Sequence, residues 1–151
     1  KDDRFFYYID MLSRESCHAM IDAIYAPHYD HFKEYFGNTF RGFFSDEPGF
    51  LNYLATYYAT LGIMFAPYPW REDLPRLIAE SAGIDEKTAR LAMPALWEDL
   101  GEITSLIRMH YMEVVTKLYS ESFRAVNWEF IIVQIISAGV ESCTIAQSNG
   151  F

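Results

Sequence analysis

Thr39-Phe40-Arg41-Gly42-Phe43-Phe44-Ser45, running straight into Asp46-Glu47-Pro48-Gly49, is the stretch that decides how this chain of 151 residues is read. Aromatic and β-prone residues closed by an acid and a proline describe a short strand that delivers carboxylates to its end. A second run of the same kind, Phe5-Phe6-Tyr7-Tyr8-Ile9-Asp10, precedes it and also ends in an acid. Between the two lies a helical pattern. Ser13 is placed as its N-cap, with Glu15 in the first turn, where the helix dipole favours a negative charge. Apolar or aromatic residues then recur at 17, 20, 21, 24, 25, 28, 32, 35 and 36, the spacing of one helix face. Pro27 should kink or split the helix, and Gly37-Asn38 should stop it. Strand, helix and strand with short joins predict a βαβ unit with parallel pairing.

Working outward, Phe50 to Trp70 is an aromatic excursion broken by Pro67 and Pro69, with one short helix expected around Leu51–Thr60. Weaker helical patterns follow over Glu72–Ala82 and Asp85–Leu100. A stronger one carries Ile103, Leu106, Ile107, His110, Tyr111, Val114, Val115, Leu118, Tyr119 and Phe123 on one face. Glu102, Arg108, Glu113, Lys117 and Glu121 lie on the other. The fold class expected is α/β, a helix-rich partial (β/α) barrel of the TIM type. A complete barrel typically takes roughly 250 residues, so the chain reads as a fragment. Its barrel portion spans residues 1–123, and a tail of different character spans 124–151.

Composition removes some functions. The net charge of −9 opposes nucleic-acid binding, which needs clustered Lys and Arg. No apolar run reaches the roughly 18–20 residues of a membrane span. The start, Lys1-Asp2-Asp3-Arg4, lacks the layout of a secretory signal. Cys17 and Cys143 belong to no paired motif and read as buried thiols. His28 and His31 flank Asp30 at a spacing that can ligate metal, but no third ligand is near in sequence, so no metal site is assigned. No Ser, His and Asp arrangement forms a nucleophile elbow.

In parallel β/α architectures the working groups sit at the carboxyl ends of strands. Asp10, Asp46 and Glu47 occupy those positions. An acid held between aromatic residues and a rigid proline is partly desolvated, which raises its pKa and suits a general acid. Asp46 and Glu47 point to opposite sides of an extended segment, so the two do not form a catalytic pair. The bland alternative is a solvated acidic turn capping the next helix. Tyr53, Tyr57, Tyr58, Tyr68 and Trp70 either stack on a ligand or pack the loop.

Several patches, in order, resemble one group of proteins: Tyr8-Ile9-Asp10-Met11-Leu12, Phe32-Lys33-Glu34-Tyr35-Phe36-Gly37, Phe40 through Pro48, Pro69 through Pro75, Met93-Pro94-Ala95-Leu96 and Tyr119 through Phe123. The group is the bacterial α-L-rhamnosidase-like glycoside hydrolases, and the likeness covers Phe5 to Phe123. It implies a β/α barrel, hydrolysis of a terminal deoxy sugar or similar glycoside, and an acid at Glu47. It implies Asp10, Asp46 and Trp70 as substrate or support residues, and calcium as an aid to substrate binding, although no calcium loop is present. The second carboxylate that such chemistry needs would lie outside this chain, leaving it inactive alone. A non-catalytic carbohydrate-binding or interaction module is the alternative. Beyond Phe123 the likeness ends. Codons for Val126–Glu129, read two bases on, must yield Leu-Gly, and those for Ile132–Gln134 can yield Arg-Ala, as the group would continue. The tail is therefore expected to be divergent or out of frame.

Overall fold

The computed structural model describes residues 9–40, 44–45, 68–137 and 146–147. They fall into two compact units, one built from Lys1–Phe50 with Glu121–Phe151, the other from Leu51–Ser120.

In the first unit, a turn at Met11-Leu12 leads into α1 (Arg14–Met20). Ser13 caps it as expected, its hydroxyl accepting the Ser16 N–H at 3.2 Å. A π-helical turn (Ile21–Tyr25) then gives way to α2 (Ala26–Phe32), which has Pro27 in its first turn. The wide turn accommodates the proline: Ala26 N–H reaches back five residues to the Ile21 carbonyl, just before the ring removes a donor. A 3₁₀ turn (Lys33–Tyr35) ends at Gly37, whose φ of 85° only glycine adopts without cost.

The chain then folds back instead of extending. Gly37 N–H donates to the Phe40 carbonyl at 2.9 Å, and Phe40 N–H to the Tyr35 carbonyl at 2.8 Å. The rings of Phe36 and Phe40 lie 5.4 Å apart, and Tyr29 packs edge-on to Phe36 at 4.9 Å. Phe40, expected on a strand, belongs instead to this local aromatic cluster.

Among the described residues the paired strands are β1 (Phe44–Ser45) and β2 (Ala146–Gln147), a parallel ladder with Phe44 opposite Ala146, and in addition there is an isolated bridge between Phe36 and Phe40. This overturns the expected partial β/α barrel. Strands in globular proteins usually run about 5–6 residues, and barrel strands are paired on both sides. A two-residue ladder to the tail provides neither. Thr39 and Phe40 lie in the turn, and Ile9 and Asp10 are outside any strand. Residues 5–8, 41–43 and the expected helix around Leu51–Thr60 lie outside the described residues, as does Cys143.

Among the described residues, helix carries the rest of the first unit. A π-helical turn (Ser120–Arg124) precedes α6 (Ala125–Ser137). Cys17, Ile21 and Val126 form a buried cluster flanked by Met20, Tyr25, Phe123 and Phe130, joining α1 to α6. Burial pushes the Cys17 thiol up to about 11. Buried Ser122 donates to the Leu12 carbonyl at 3.1 Å. At the rim, Arg14 donates to the Glu121 carbonyl at 3.1 Å and to the Glu129 carboxylate at 2.6 Å. Val126, in the tail, thus packs on α1.

The second unit is a helical cluster of α3 (Leu74–Ala82), α4 (Glu86–Ala92), a 3₁₀ turn (Met93–Leu96) and α5 (Glu102–Tyr119). Gly83, left-handed at φ 67°, closes α3, and Ile84 N–H bonds the Ala79 carbonyl at 3.0 Å. Asp85 caps α4 by accepting the Thr88 N–H at 3.0 Å. Leu74, Ile78, Ala89, Ala92, Leu96, Ile107 and Tyr111 are buried. Of the five residues expected on the outer face, Glu102, Arg108, Glu113 and Lys117 lie on α5 and are exposed, while Glu121 is exposed in the π-helical turn of the first unit.

Candidate functional site

Of the residues singled out as a site, Asp46 and Glu47 lie outside the described residues. Asp10 belongs to the first unit and Trp70 to the second.

Asp10 is exposed, and its carboxylate Oδ1 accepts the Leu12 N–H at 2.9 Å, an Asx turn. Its carbonyl accepts the Ser13 N–H at 3.1 Å, and its own N–H donates to Ser16 Oγ at 2.9 Å. These bonds shape the entry to α1. The observed work of Asp10 is therefore to set a turn.

Trp70 is 46% exposed and follows a pinned segment. Tyr111, buried on α5, donates its hydroxyl to the Pro69 carbonyl at 2.8 Å. Its ring meets Tyr68 edge-to-face at 5.3 Å, and burial, with Tyr68 adding to it, raises the Tyr111 phenol. Tyr68 in turn donates to the Leu96 carbonyl. After Trp70, Arg71 makes a two-pronged pair with Asp73 at 3.0 and 2.8 Å, the geometry its planar fork favours. Tyr68 is thus a packing residue, and Trp70 is held from both sides with its indole open to solvent.

Two features escaped the sequence. Trp97, read as part of a weak helical stretch, is 58% exposed at the end of the 3₁₀ turn. Between α3 and α5, Ser81 Oγ lies 2.9 Å from His110 Nδ1, Glu113 Oε2 lies 2.8 Å from that same nitrogen, and Ser81 donates to Glu113 at 3.2 Å. A nucleophilic triad needs serine and carboxylate on opposite ring nitrogens. Here both share Nδ1, so the cluster is an interhelical clasp. No spacing in the sequence announces it, because Ser81 and His110 meet only once the helices pack.

His28 Nδ1 lies 2.6 Å from the Ile24 carbonyl, and the His31 ring packs on Phe32 at 4.5 Å. Among the described residues no three His, Cys, Asp or Glu side chains gather to hold a metal ion, and no helix is long and apolar enough to cross a membrane. No protein-family model, curated protein or solved structure matches the chain.

Proposed function

We propose that this chain is part of a glycoside hydrolase of the α-L-rhamnosidase-like kind, with Glu47 as the proton donor to the departing sugar oxygen. The observation that carries it is the run Phe40 through Pro48, standing in order with the other resembling patches. The proposal rests on that order and on the chemistry of an acid between aromatics and proline, not on a barrel. Hydrolysis of this kind uses two carboxyl groups, and the partner of Glu47 would come from outside this chain. Asp46 would support the turn, Trp70 would contact sugar, and the proposal requires of Asp10 only the turn it makes. Any calcium would belong to the assembled enzyme.

The second reading is a carbohydrate-binding module without catalysis. It is favoured by the exposure of Trp70 and Trp97 in the second unit. A glycoside panel separates the two when bound sugar and released product are followed together. Hydrolysis by the parent polypeptide supports the first reading, and binding without product supports the second. Neither binding nor product would remove both.

A further inference from the structure

Trp97 is the most exposed tryptophan among the described residues, yet its backbone is tightly tied. Trp97 N–H and Glu98 N–H both donate to the Pro94 carbonyl, at 3.1 and 2.9 Å. From α5, Arg108 Nε donates to the Ala95 carbonyl at 2.8 Å and its terminal nitrogen to the Glu98 carbonyl at 3.3 Å. Tyr68 holds the Leu96 carbonyl and sets its ring 6.4 Å from the indole. The carbonyls of residues 94, 95, 96 and 98 are therefore all engaged. Tyr68 itself is locked against Tyr111.

A large aromatic left in water on a turn this well held is pre-organised for contact, because little motion remains to be lost on binding. Its surroundings select the ligand. Exposed Glu98 and Asp99 follow it in a chain of net charge −9, which disfavours anions. Asp99 is engaged by the Gly101 N–H at 2.8 Å and the Thr104 hydroxyl at 3.2 Å. Glu98, the residue after the tryptophan, is exposed and carries a carboxylate that can accept from hydroxyl groups. A flat apolar face next to a hydroxyl acceptor matches a neutral pyranose, whose C–H face packs on an indole. We propose that Trp97 is a sugar-stacking subsite, with Glu98 accepting from the sugar hydroxyls and Arg108 and Tyr68 as positioning residues. This rests on the carbohydrate reading above and adds a binding position to it.

The test uses the indole N–H resonances of the full chain, whose three tryptophans give three signals, titrated with methyl α-L-rhamnopyranoside. The Trp97 signal should move saturably while Trp128 stays fixed. Trp97→Ala should weaken sugar binding at least tenfold with the melting temperature unchanged, and Trp97→Phe should retain part of the affinity. Unchanged affinity in Trp97→Ala, or a sugar that moves no indole, overturns the proposal. So does a Trp97 signal that responds to tetramethylammonium but not to sugar. Parent activity lost in Glu47→Gln, with sugar affinity untouched by Trp97→Ala, removes the subsite and leaves the hydrolase. Sugar held by Trp97, with no hydrolysis by the parent polypeptide, leaves the subsite and removes the hydrolase.

Discussion

The two units reach helical structure by different routes. In the second, α3, α4 and α5 follow one another within some fifty residues. Each meets a neighbour close in sequence, and Asp85, Gly83 and Gly101 set the breaks. In the first, Cys17 of α1 and Ile21 of the π-helical turn are buried against Val126, more than a hundred residues away. Beyond the π-helical turn, α2 buries none of its residues, and Phe32, Tyr35 and Phe40 are substantially exposed. Closing a long loop before any contact forms is entropically costly. The second unit should therefore be the sturdier, and the first should depend on its distant helix.

The largest expected effect breaks the second unit. Tyr111→Ala removes a fully buried ring and the bond to Pro69, and should cost about 3–5 kcal/mol in denaturant unfolding. Hydrogen exchange should accelerate across residues 74–118 before it does at α1. Next, Val126→Ala removes two buried methyl groups from the α1–α6 contact and should cost about 2 kcal/mol. Exchange should then rise through residues 14–25 and leave α3 protected. One common change in both variants would show a single cooperative body.

A smaller effect is expected at Gly83. A Cβ there meets open space, so Gly83→Ala should cost only the left-handed backbone, about 1 kcal/mol, read as a lowered melting temperature. Smallest is Asp85→Asn, which keeps a carbonyl for the Thr88 N–H and removes the charge. The hydrogen bond from the Thr88 side chain, then that from its backbone, lowers the Asp85 pKa in the folded protein. Its contribution is thus present above the unfolded value of about 3.9 and lost as pH falls through the folded one. Wild type should melt slightly higher than Asp85→Asn near neutrality, with the gap closing below about pH 4. A gap independent of pH would assign it to the hydrogen bond alone.

Legibility in the sequence followed the same division. The outer face of α5, the Ser13 cap, the Pro27 split and the Gly37 stop rest on rules acting within a few residues, and each is present. Of the strand expected over Thr39–Ser45, Phe44–Ser45 is extended, but Thr39 and Phe40 are not part of it, because aromatic residues serve a strand face and a local ring cluster equally well and the bend at Gly37 chose the cluster. The Cys17–Val126 contact was hidden for want of any signal linking positions so far apart. Trp97 looked like one more apolar residue after Pro94, and its exposure depends on Tyr68 and Arg108 meeting the turn. Glu47 and Asp46 stand on the sequence alone.

Glu47 is therefore where a single measurement bears most directly. In a catalytically competent parent polypeptide carrying this sequence, Glu47→Gln should keep sugar binding. It should slow hydrolysis of an alkyl glycoside by a factor on the order of 10² or more, while an activated aryl glycoside, whose leaving group needs little protonation, should lose far less. Equal loss on both substrates, or no loss on either, would contradict the assignment of Glu47 as the acid.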